Sequence, residues 1–215
     1  MTEQISELTT NRLSLYLRFL NELNEKGIKT VSSKLFAEQL ELNPALIRKD
    51  LSHFGAFGVR GVGYIVKDLQ NKLSSILGLD MQLRVAIMGA GNLGLALADY
   101  PGFRQEGFQI VALFDNFSDK VGGVSRSGIT IYNIQDLKRI ANREKITIAI
   151  IAVPAVSAQD VVNTVVQAGI NAVLNFSPGT LRVPEHVKLK SVDLTVSLES
   201  LSFYLARERG RRKTL

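Results

Sequence analysis

The chain has 215 residues, 46% of them hydrophobic, which is the composition of a globular protein with one or two domains. It has no cysteine and two histidines, so disulfides and cysteine-rich zinc sites are excluded, and we expect no metal. No signal-peptide pattern opens the sequence and no apolar run approaches the roughly 18 residues of a membrane span, so we expect a soluble, cytoplasmic protein without a membrane partner. The net charge is +6, but five basic residues lie between Arg207 and Lys213, so the total charge is weak support for DNA binding.

Three helices are predicted early in an N-terminal segment that we place at residues 1–80. Apolar residues at helical spacing predict an amphipathic helix from about Thr10 to Lys26. A second helix is expected to begin after Ser32 or Ser33, either of which is a suitable N-cap. An Asn43-Pro44 pair then predicts a third helix from Pro44 to about His53. Because only a short turn separates the last two, they form a candidate helix-turn-helix.

The third predicted helix has two distinct faces. Its apolar residues fall on one side, and small, hydrogen-bonding and cationic residues fall on the other at spacing i, i+3, i+4, i+7. Arginine and lysine on such a face can reach guanine or phosphates in the major groove. The outward residues are Ala45, Arg48, Lys49 and Ser52. A three-helix interaction module with a solvated face remains the alternative interpretation.

A glycine-rich stretch, FGAFGVRGVGY at 54–64, follows the third helix and predicts a short β-hairpin, or wing. Arg60 would lie near its tip, where an arginine suits a narrow minor groove. A linking helix is predicted from Lys67 to Leu77 and ends at Gly78. We therefore predict a DNA-binding domain at 1–80, a dinucleotide-binding domain at 81–196, and a dimerisation helix with a basic tail at 197–215.

A GxGxxG motif lies between a predicted strand and a predicted helix, and in this position the motif indicates a dinucleotide-binding turn. Gly89 would form the tight turn, Gly91 would admit the pyrophosphate, and Gly94 would allow close packing of helix and strand. Asp115 ends the next predicted strand, where a carboxylate accepts hydrogen bonds from the adenine ribose and disfavours a 2′-phosphate. The expected cofactor-binding residues of the motif also include Ala90, Asn92 and Leu93. An ordinary loop aspartate is the alternative for Asp115.

Strands and helices continue to alternate from ITIY (129–132) to NAVLNF (171–176), which predicts an α/β fold with a doubly wound parallel sheet. Ligands of such sheets bind at the carboxyl ends of the strands. The residues expected there are Tyr100, Val153, Pro154, Asn175, Phe176 and Pro178. Phe176 would either contact the nicotinamide or close the end of the sheet.

A conventional dehydrogenase is disfavoured, because no tyrosine is followed four residues later by lysine, and of the two histidines His53 lies in the predicted DNA-reading region and His186 in a late loop. Little chain remains beyond the Rossmann core for a substrate domain. The last segment predicts a helix with Leu198, Leu201, Tyr204 and Leu205 on one side, and a partner subunit is the expected cover for that side.

These motifs together resemble the Rex family of redox-sensing repressors over about residues 12–207. The matching segments are RLSLYLRFL (12–20), IRKDLSHFGAFGVRGVGY (47–64), GAGNLGLALADYPGF (89–103), FD (114–115), VP (153–154), NFSP (175–178) and VDLT (192–195). The resemblance implies a homodimer with a winged-helix N-terminal domain, a Rossmann C-terminal domain and a last helix exchanged between subunits. It implies that palindromic operator DNA is bound when NADH is low and released when NADH binds.

The resemblance also extends the set of expected site residues. The full set of expected DNA contacts is Arg12, Ala45, Arg48, Lys49, Ser52, His53, Arg60 and Tyr64. Tyr100 is expected to pair with Asp193 of the partner subunit in the NADH-bound form, and Arg18 to compete for that aspartate in the DNA-bound form. We expect the apolar lining at Val153, Pro154 and Phe176 to favour the neutral ring of NADH over the charged ring of NAD+.

Two other functions remain open from the sequence. One is an oxidoreductase whose N-terminal domain serves only oligomerisation. The other is a CoA-binding Rossmann protein, since related folds use similar glycine turns, although Asp115 argues against it.

Overall fold

The computed structural model describes the backbone of residues 5–55, 57–59 and 61–212, with side chains as far as Arg207. The chain divides into two compact units, Met1–Met81 and Gln82–Leu215. Arg60, expected at the tip of the wing, lies outside the described residues, as does Lys213 in the basic tail.

The N-terminal unit is a winged helix. Its three short strands form one antiparallel sheet in the order β1-β3-β2. The predicted hairpin is confirmed as β2 and β3, and β1, which sequence patterns did not indicate, pairs with β3. The elements in chain order are α1 (Glu7–Glu25), β1 (Thr30–Val31), α2 (Ser33–Gln39), α3 (Pro44–Ser52), β2 (Gly58–Val59), β3 (Gly63–Ile65) and α4 (Val66–Ile76).

Side-chain caps explain where the first three helices begin. The Oγ atom of Ser6 accepts a hydrogen bond from the Thr9 N–H at 3.2 Å, so α1 starts earlier than its apolar pattern predicted. Ser32, one of the two candidates, caps α2 through the Leu35 N–H at 3.1 Å. Asn43 accepts from the Ala45 N–H at 2.7 Å, and proline occupies the first turn of α3, as predicted.

The core of the N-terminal unit is centred on Phe36, a fully buried residue of α2. Its ring makes edge-to-face contacts with Tyr16 and Phe19 of α1 at centroid distances of 5.4 and 5.1 Å. It also contacts the ring of Tyr64 in β3 at 6.3 Å. One aromatic side chain therefore joins α2 to the long helix and to the wing.

The C-terminal unit is a doubly wound α/β domain. Six parallel strands lie in the order β6-β5-β4-β7-β8-β9, so the chain runs outward in both directions from β4. The crevice at the carboxyl ends of β4 and β7 is the place where such sheets bind ligands. The elements are β4 (Leu83–Met88), α5 (Asn92–Ala98), α6 (Pro101–Gln105), β5 (Phe108–Asp115), β6 (Ile131–Asn133), a 3₁₀ turn (Ile134–Asp136), α7 (Leu137–Glu144), β7 (Ile148–Ile151), α8 (Ala155–Gln167), β8 (Ala172–Asn175), β9 (Lys188–Ser191) and α9 (Leu194–Arg212).

Both faces of this sheet are covered. Along β4, Ala86 and Met88 pack in the cluster that includes α7 and α8, whereas Val85 and Ile87 pack in a second cluster on the α5 side. The alternation follows from the two-residue period of a strand. In the strand register, Met88 lies beside both Phe114 and Ile151, so the carboxyl ends of the central strands meet at one edge.

The edge strand β9 and the start of the last helix differ from the sequence predictions for this unit. The edge strand β9 was not predicted, because its sequence KLKS carries two lysines and no continuous apolar run. The last helix begins at Leu194, three residues before the predicted dimerisation segment at 197–215, and Asp193 caps it by accepting the Thr195 N–H at 2.8 Å.

The last helix, α9, exposes apolar side chains on two sides. On an ideal helix, the predicted positions Leu198, Leu201 and Leu205 share a stripe with Leu194, and Tyr204 flanks it. Val196 and Phe203 lie on the opposite side, 59% and 57% exposed.

None of the helices in the described part of the chain combines the length and the apolar character that a membrane span requires.

Candidate functional site

The outward face of α3 carries the side chains that the sequence predicted there. Ala45, Arg48, Lys49 and Ser52 are all exposed, as is the adjoining His53. The Arg48 Nη1 atom donates to the Oγ atom of Ser33 at 3.2 Å, which holds the guanidinium beside the first turn of α2. Ser52 donates to the Lys49 carbonyl oxygen at 2.7 Å, so its oxygen retains acceptor capacity toward solvent.

The inner face of α3 contains a buried ionic cluster centred on Asp50. Its carboxylate accepts two hydrogen bonds from Arg12 of α1, from Nε at 2.6 Å and from Nη2 at 2.7 Å. The Tyr16 hydroxyl donates to it at 2.7 Å. Burial alone would raise the pKa of Asp50, but the hydrogen bonds from Arg12 and Tyr16 outweigh burial and hold that pKa below its ordinary value.

This cluster gives α3 a one-sided charge. The only acid of the helix, Asp50, points inward and is neutralised by Arg12, whereas both cations point outward. The exposed face of α3 therefore presents two positive charges to an approaching anion, with no acid of the same helix beside them.

Two residues that sequence reasoning placed against DNA have other contacts. Arg12 forms the ion pair with Asp50, and its side chain is 20% exposed. Tyr64 is buried in the aromatic core, and burial raises the pKa of its hydroxyl. Sequence reasoning missed Asp50 and Tyr16, although an acid between Ile47 and Leu51 on an apolar stripe signals a buried partner.

The glycine motif adopts the geometry that a dinucleotide turn requires. Gly89 has φ of +104°, and a Cβ there would meet the Ala152 carbonyl oxygen at 2.5 Å. A Cβ on Gly94 would overlap the Gly89 carbonyl oxygen, so only glycine permits this packing of α5 on β4. No atom lies within 4 Å of a Cβ position on Gly91, which leaves open space beside its backbone. Asn92 and Leu93 are exposed in the first turn of α5.

Asp115 ends β5 and is buried beside this turn. Its Oδ2 atom accepts the Ala90 N–H at 2.9 Å and its Oδ1 atom accepts the N–H groups of Asn116 and Phe117 at 2.8 and 3.0 Å. The Lys120 ammonium donates to Oδ2 at 3.2 Å. Burial alone would raise the pKa of Asp115, but the Phe117 and Ala90 amides and Lys120 together hold it below its ordinary value.

A cavity of about 460 Å³ opens at the carboxyl ends of β4, β5 and β7. It brings together the glycine turn, Asp115, and the predicted Val153 and Pro154. Phe117 and Val156, 61% and 93% exposed, add apolar surface to it. The lining comprises Met88, Gly89, Gly91, Phe114, Asp115, Asn116, Phe117, Lys120, Ile134, Ala152, Val153, Pro154, Val156, Ser157 and Val161.

The predicted residues at the end of β8 and just after it lie outside this lining. Asn175 is fully buried and holds its own turn, donating to the Ser177 carbonyl oxygen at 3.0 Å and accepting the Ser177 N–H at 2.8 Å. Ser177 in turn donates to the Val153 carbonyl oxygen at 2.6 Å, which ties the ends of β7 and β8 together. Phe176 is half-buried against the hydrophobic cluster on the α5 side of the sheet, and Pro178 is exposed.

The three predicted switch residues are all exposed. Tyr100 is 56% exposed and makes an edge-to-face contact with Phe103 at 5.3 Å. Its ring lies over Gly102, where a Cβ would overlap the ring edge. Asp193 caps α9, and Arg18 lies on the outer side of α1 in the N-terminal unit.

A winged helix with a basic recognition face, followed by a Rossmann unit with a dinucleotide turn, defines the class of nucleotide-responsive transcription regulators. Comparison with known proteins agrees with both halves. A model for a putative DNA-binding protein N-terminus matches residues 4–52, and a model for a CoA binding domain matches residues 80–179.

Full-length relatives narrow the class. The chain is 45% identical over 209 residues to the redox-sensing transcriptional repressor Rex of Desulfitobacterium hafniense, covering 97% of this chain and 99% of the relative. It is similar to the crystal structure of RSP in complex with β-NAD+ and operator DNA, with 37% identity, a TM-score of 0.92, and coverage of 98% and 97% of the two chains. The structure of RSP with β-NADH matches at 35% identity and a TM-score of 0.85, covering 99% and 100%. The chain belongs to the Rex family of redox-sensing transcriptional repressors.

This membership confirms the predicted family and the two-part fold. Because the relatives are named as repressors, it also confirms the prediction of a regulator instead of an enzyme. Among the side chains that the structure describes, no group of three or more histidine, cysteine, aspartate or glutamate residues could hold a metal ion.

Proposed function

We propose that this chain is a redox-sensing repressor that binds palindromic operator DNA as a homodimer and leaves it when NADH binds. The observation that carries the proposal is the presence in one chain of an exposed, cationic recognition helix and a glycine turn closed by a buried aspartate. As a repressor acting on chromosomal DNA, it would work in the cytoplasm.

In the DNA-binding half, α3 would enter the major groove with its outward face. Arg48 and Lys49 supply cationic donors, Ser52 supplies an acceptor, and Ala45 supplies a methyl group that suits thymine. We keep His53 and the wing residue Arg60 as expected contacts. Arg12 and Tyr64 would act indirectly, because the first holds α3 against α1 and the second supports the wing.

In the nucleotide-binding half, Gly91 and the first turn of α5 would hold the pyrophosphate, and Asp115 would hold the adenine ribose. The residues present fit this group, since open space adjoins Gly91 and a carboxylate lies in the same cavity. Bound there, the dinucleotide supplies a nicotinamide whose charge depends on its redox state. Val153, Pro154 and Phe176 remain the proposed apolar residues that disfavour the charged form.

The link between the halves requires differential affinity, since a ligand that binds both conformations equally shifts nothing. Exposed Tyr100, Asp193 and Arg18 are available to exchange partners between subunits, which is what the proposed switch needs. The apolar stripe of α9 would be covered by the second subunit.

Fluorescence anisotropy of a labelled operator duplex recognised by RSP tests the whole proposal. We expect the protein to bind the duplex, to retain it with NAD+ and to release it with NADH. Arg48→Ala should weaken binding and reduce its salt dependence, whereas Lys72→Ala on α4, which removes the same charge elsewhere, should not. Binding that is insensitive to NADH would contradict the proposal.

CoA binding is the second candidate, because the model that matches residues 80–179 describes a CoA binding domain. The adenosine of CoA carries a 3′-phosphate, which the buried carboxylate of Asp115 would repel. We therefore favour NAD(H). Displacement of bound NADH by micromolar CoA would reverse this preference.

A further inference from the structure

The carboxylate of Asp115 has no acceptor position left for a ligand in this conformation. An ionised carboxylate offers about four lone-pair positions. Four donors already use them, namely the N–H groups of Ala90, Asn116 and Phe117 and the ammonium of Lys120. A ribose hydroxyl can therefore donate to Asp115 only when one of these donors gives way.

Lys120 is the donor that can give way. The three amides belong to the turns that end β4 and β5, and moving any of them would disturb the sheet edge. Lys120 reaches the carboxylate through a flexible side chain that is 34% exposed, at the longest of the four distances, 3.2 Å. From the same position its ammonium lies 4.9 Å from the centre of the Phe117 ring, a favourable contact that does not depend on the carboxylate.

A displaced Lys120 ammonium would stay beside the ribose, since Lys120, Asp115 and Phe117 line the same cavity. The residue therefore opposes the discrimination that Asp115 provides. An unpaired aspartate repels a 2′-phosphate strongly, whereas an aspartate with a lysine beside it forms a pair of no net charge.

We propose that Lys120 is a specificity-determining residue that sets how strongly the site prefers NAD(H) over its 2′-phosphorylated counterpart, NADP(H). The inference rests on the proposed nucleotide site. In it, Asp115 selects the ribose hydroxyls, while Lys120 competes with them and limits the penalty on a 2′-phosphate.

The test measures dissociation constants of NADH and NADPH by titrating nicotinamide fluorescence with the full-length protein. Lys120→Met keeps the length of the side chain and removes the charge. We expect the ratio of the NADPH constant to the NADH constant to rise roughly tenfold in this variant, and the difference to shrink at high salt. Lys120→Arg should keep the wild-type ratio. Lys145→Met, at the far end of α7, controls for total charge and should also keep it.

Two outcomes would overturn the inference, and they differ in scope. An unchanged ratio in Lys120→Met, with NADH still bound, would overturn the role of Lys120 alone. Absence of NADH binding by the wild-type protein would overturn the proposed function and this inference with it.

Discussion

Arg12 and Asp50 form a two-pronged ion pair that joins the first helix to the inner side of the recognition helix. The carboxylate is 3% exposed and also receives the Tyr16 hydroxyl. The pair therefore fixes the angle of α3 on α1 and removes the one negative charge of α3 from the face that would meet DNA.

Replacing this carboxylate should affect both stability and DNA binding. In Asp50→Ala, the guanidinium of Arg12 and the hydroxyl of Tyr16 lose their buried acceptor, and we expect a loss of about 3 kcal/mol in the unfolding free energy of the N-terminal unit. Urea unfolding followed by circular dichroism measures this loss. Asp68→Ala, which removes an exposed acid from the first turn of α4, should cost no more than about 1 kcal/mol. Equal effects of the two variants would contradict this assignment.

The same pair predicts how stability depends on pH. Because the folded-state pKa of Asp50 is depressed, its contribution is complete above the ordinary value of 3.8 and is lost as pH falls through the lower folded value. The difference in unfolding free energy between wild type and Asp50→Asn should therefore be constant near neutral pH and shrink in acid. A difference that grows as the pH falls would have the wrong sign for this pair.

The two glycines around the first turn of α5 should separate binding from folding. Gly91→Ala places a methyl group in open space, so we expect stability to be nearly unchanged while NADH affinity falls by about tenfold or more. Gly94→Ala forces a methyl group onto the Gly89 carbonyl and should destabilise the C-terminal unit by about 1–3 kcal/mol. NADH titration measures the affinity of both variants, and thermal unfolding measures their stability. Full NADH affinity in Gly91→Ala would argue against pyrophosphate binding at this turn.

A substitution beneath the Tyr100 ring should uncouple NADH binding from the release of operator DNA. Gly102→Ala puts a methyl group where the Tyr100 ring now lies and displaces that ring from Phe103. We expect NADH to bind with near-normal affinity but to release operator DNA only at higher concentration. Tyr100→Phe keeps the ring and removes the hydroxyl, so it shows whether the ring position or the hydroxyl matters. Release at the wild-type NADH concentration in both variants would remove Tyr100 from the switch.

Lys145 offers a stability gain away from both sites. It ends α7 in a left-handed conformation with φ of +52°, which costs a side-chain-bearing residue energy that glycine avoids. We expect Lys145→Gly to raise the unfolding free energy by up to about 1 kcal/mol. Lys138→Gly, inside the same helix, should lower it by about 1 kcal/mol. Thermal unfolding of the two variants should thus shift in opposite directions, and a loss of stability in Lys145→Gly would contradict the argument.

Local signals explain which parts of the molecule were predictable. The Asn43-Pro44 start of α3 and the glycine turn after β4 depend on neighbouring residues, and the sequence showed both. The acceptor of Arg12 lies 38 residues away, and no local pattern connects the two. Edge strand β9 is held by hydrogen bonds to β8 and not by its own apolar content, so its lysines concealed it. The sequence places Asn175 near the ligand site but does not show the hydrogen bonds that it makes within its own turn, because a buried amide looks the same in sequence whichever partner it has.

Because α9 exposes apolar side chains on two sides, the stability of this protein would depend on its concentration. A helix that leaves Leu198, Leu201 and Phe203 more than half exposed gains stability only from a surface that covers them. When that surface belongs to a second copy, mass action ties the melting temperature to the concentration of the chain. The amount of protein that a cell makes would then set the operator occupancy and also the fraction of chains that survive long enough to bind.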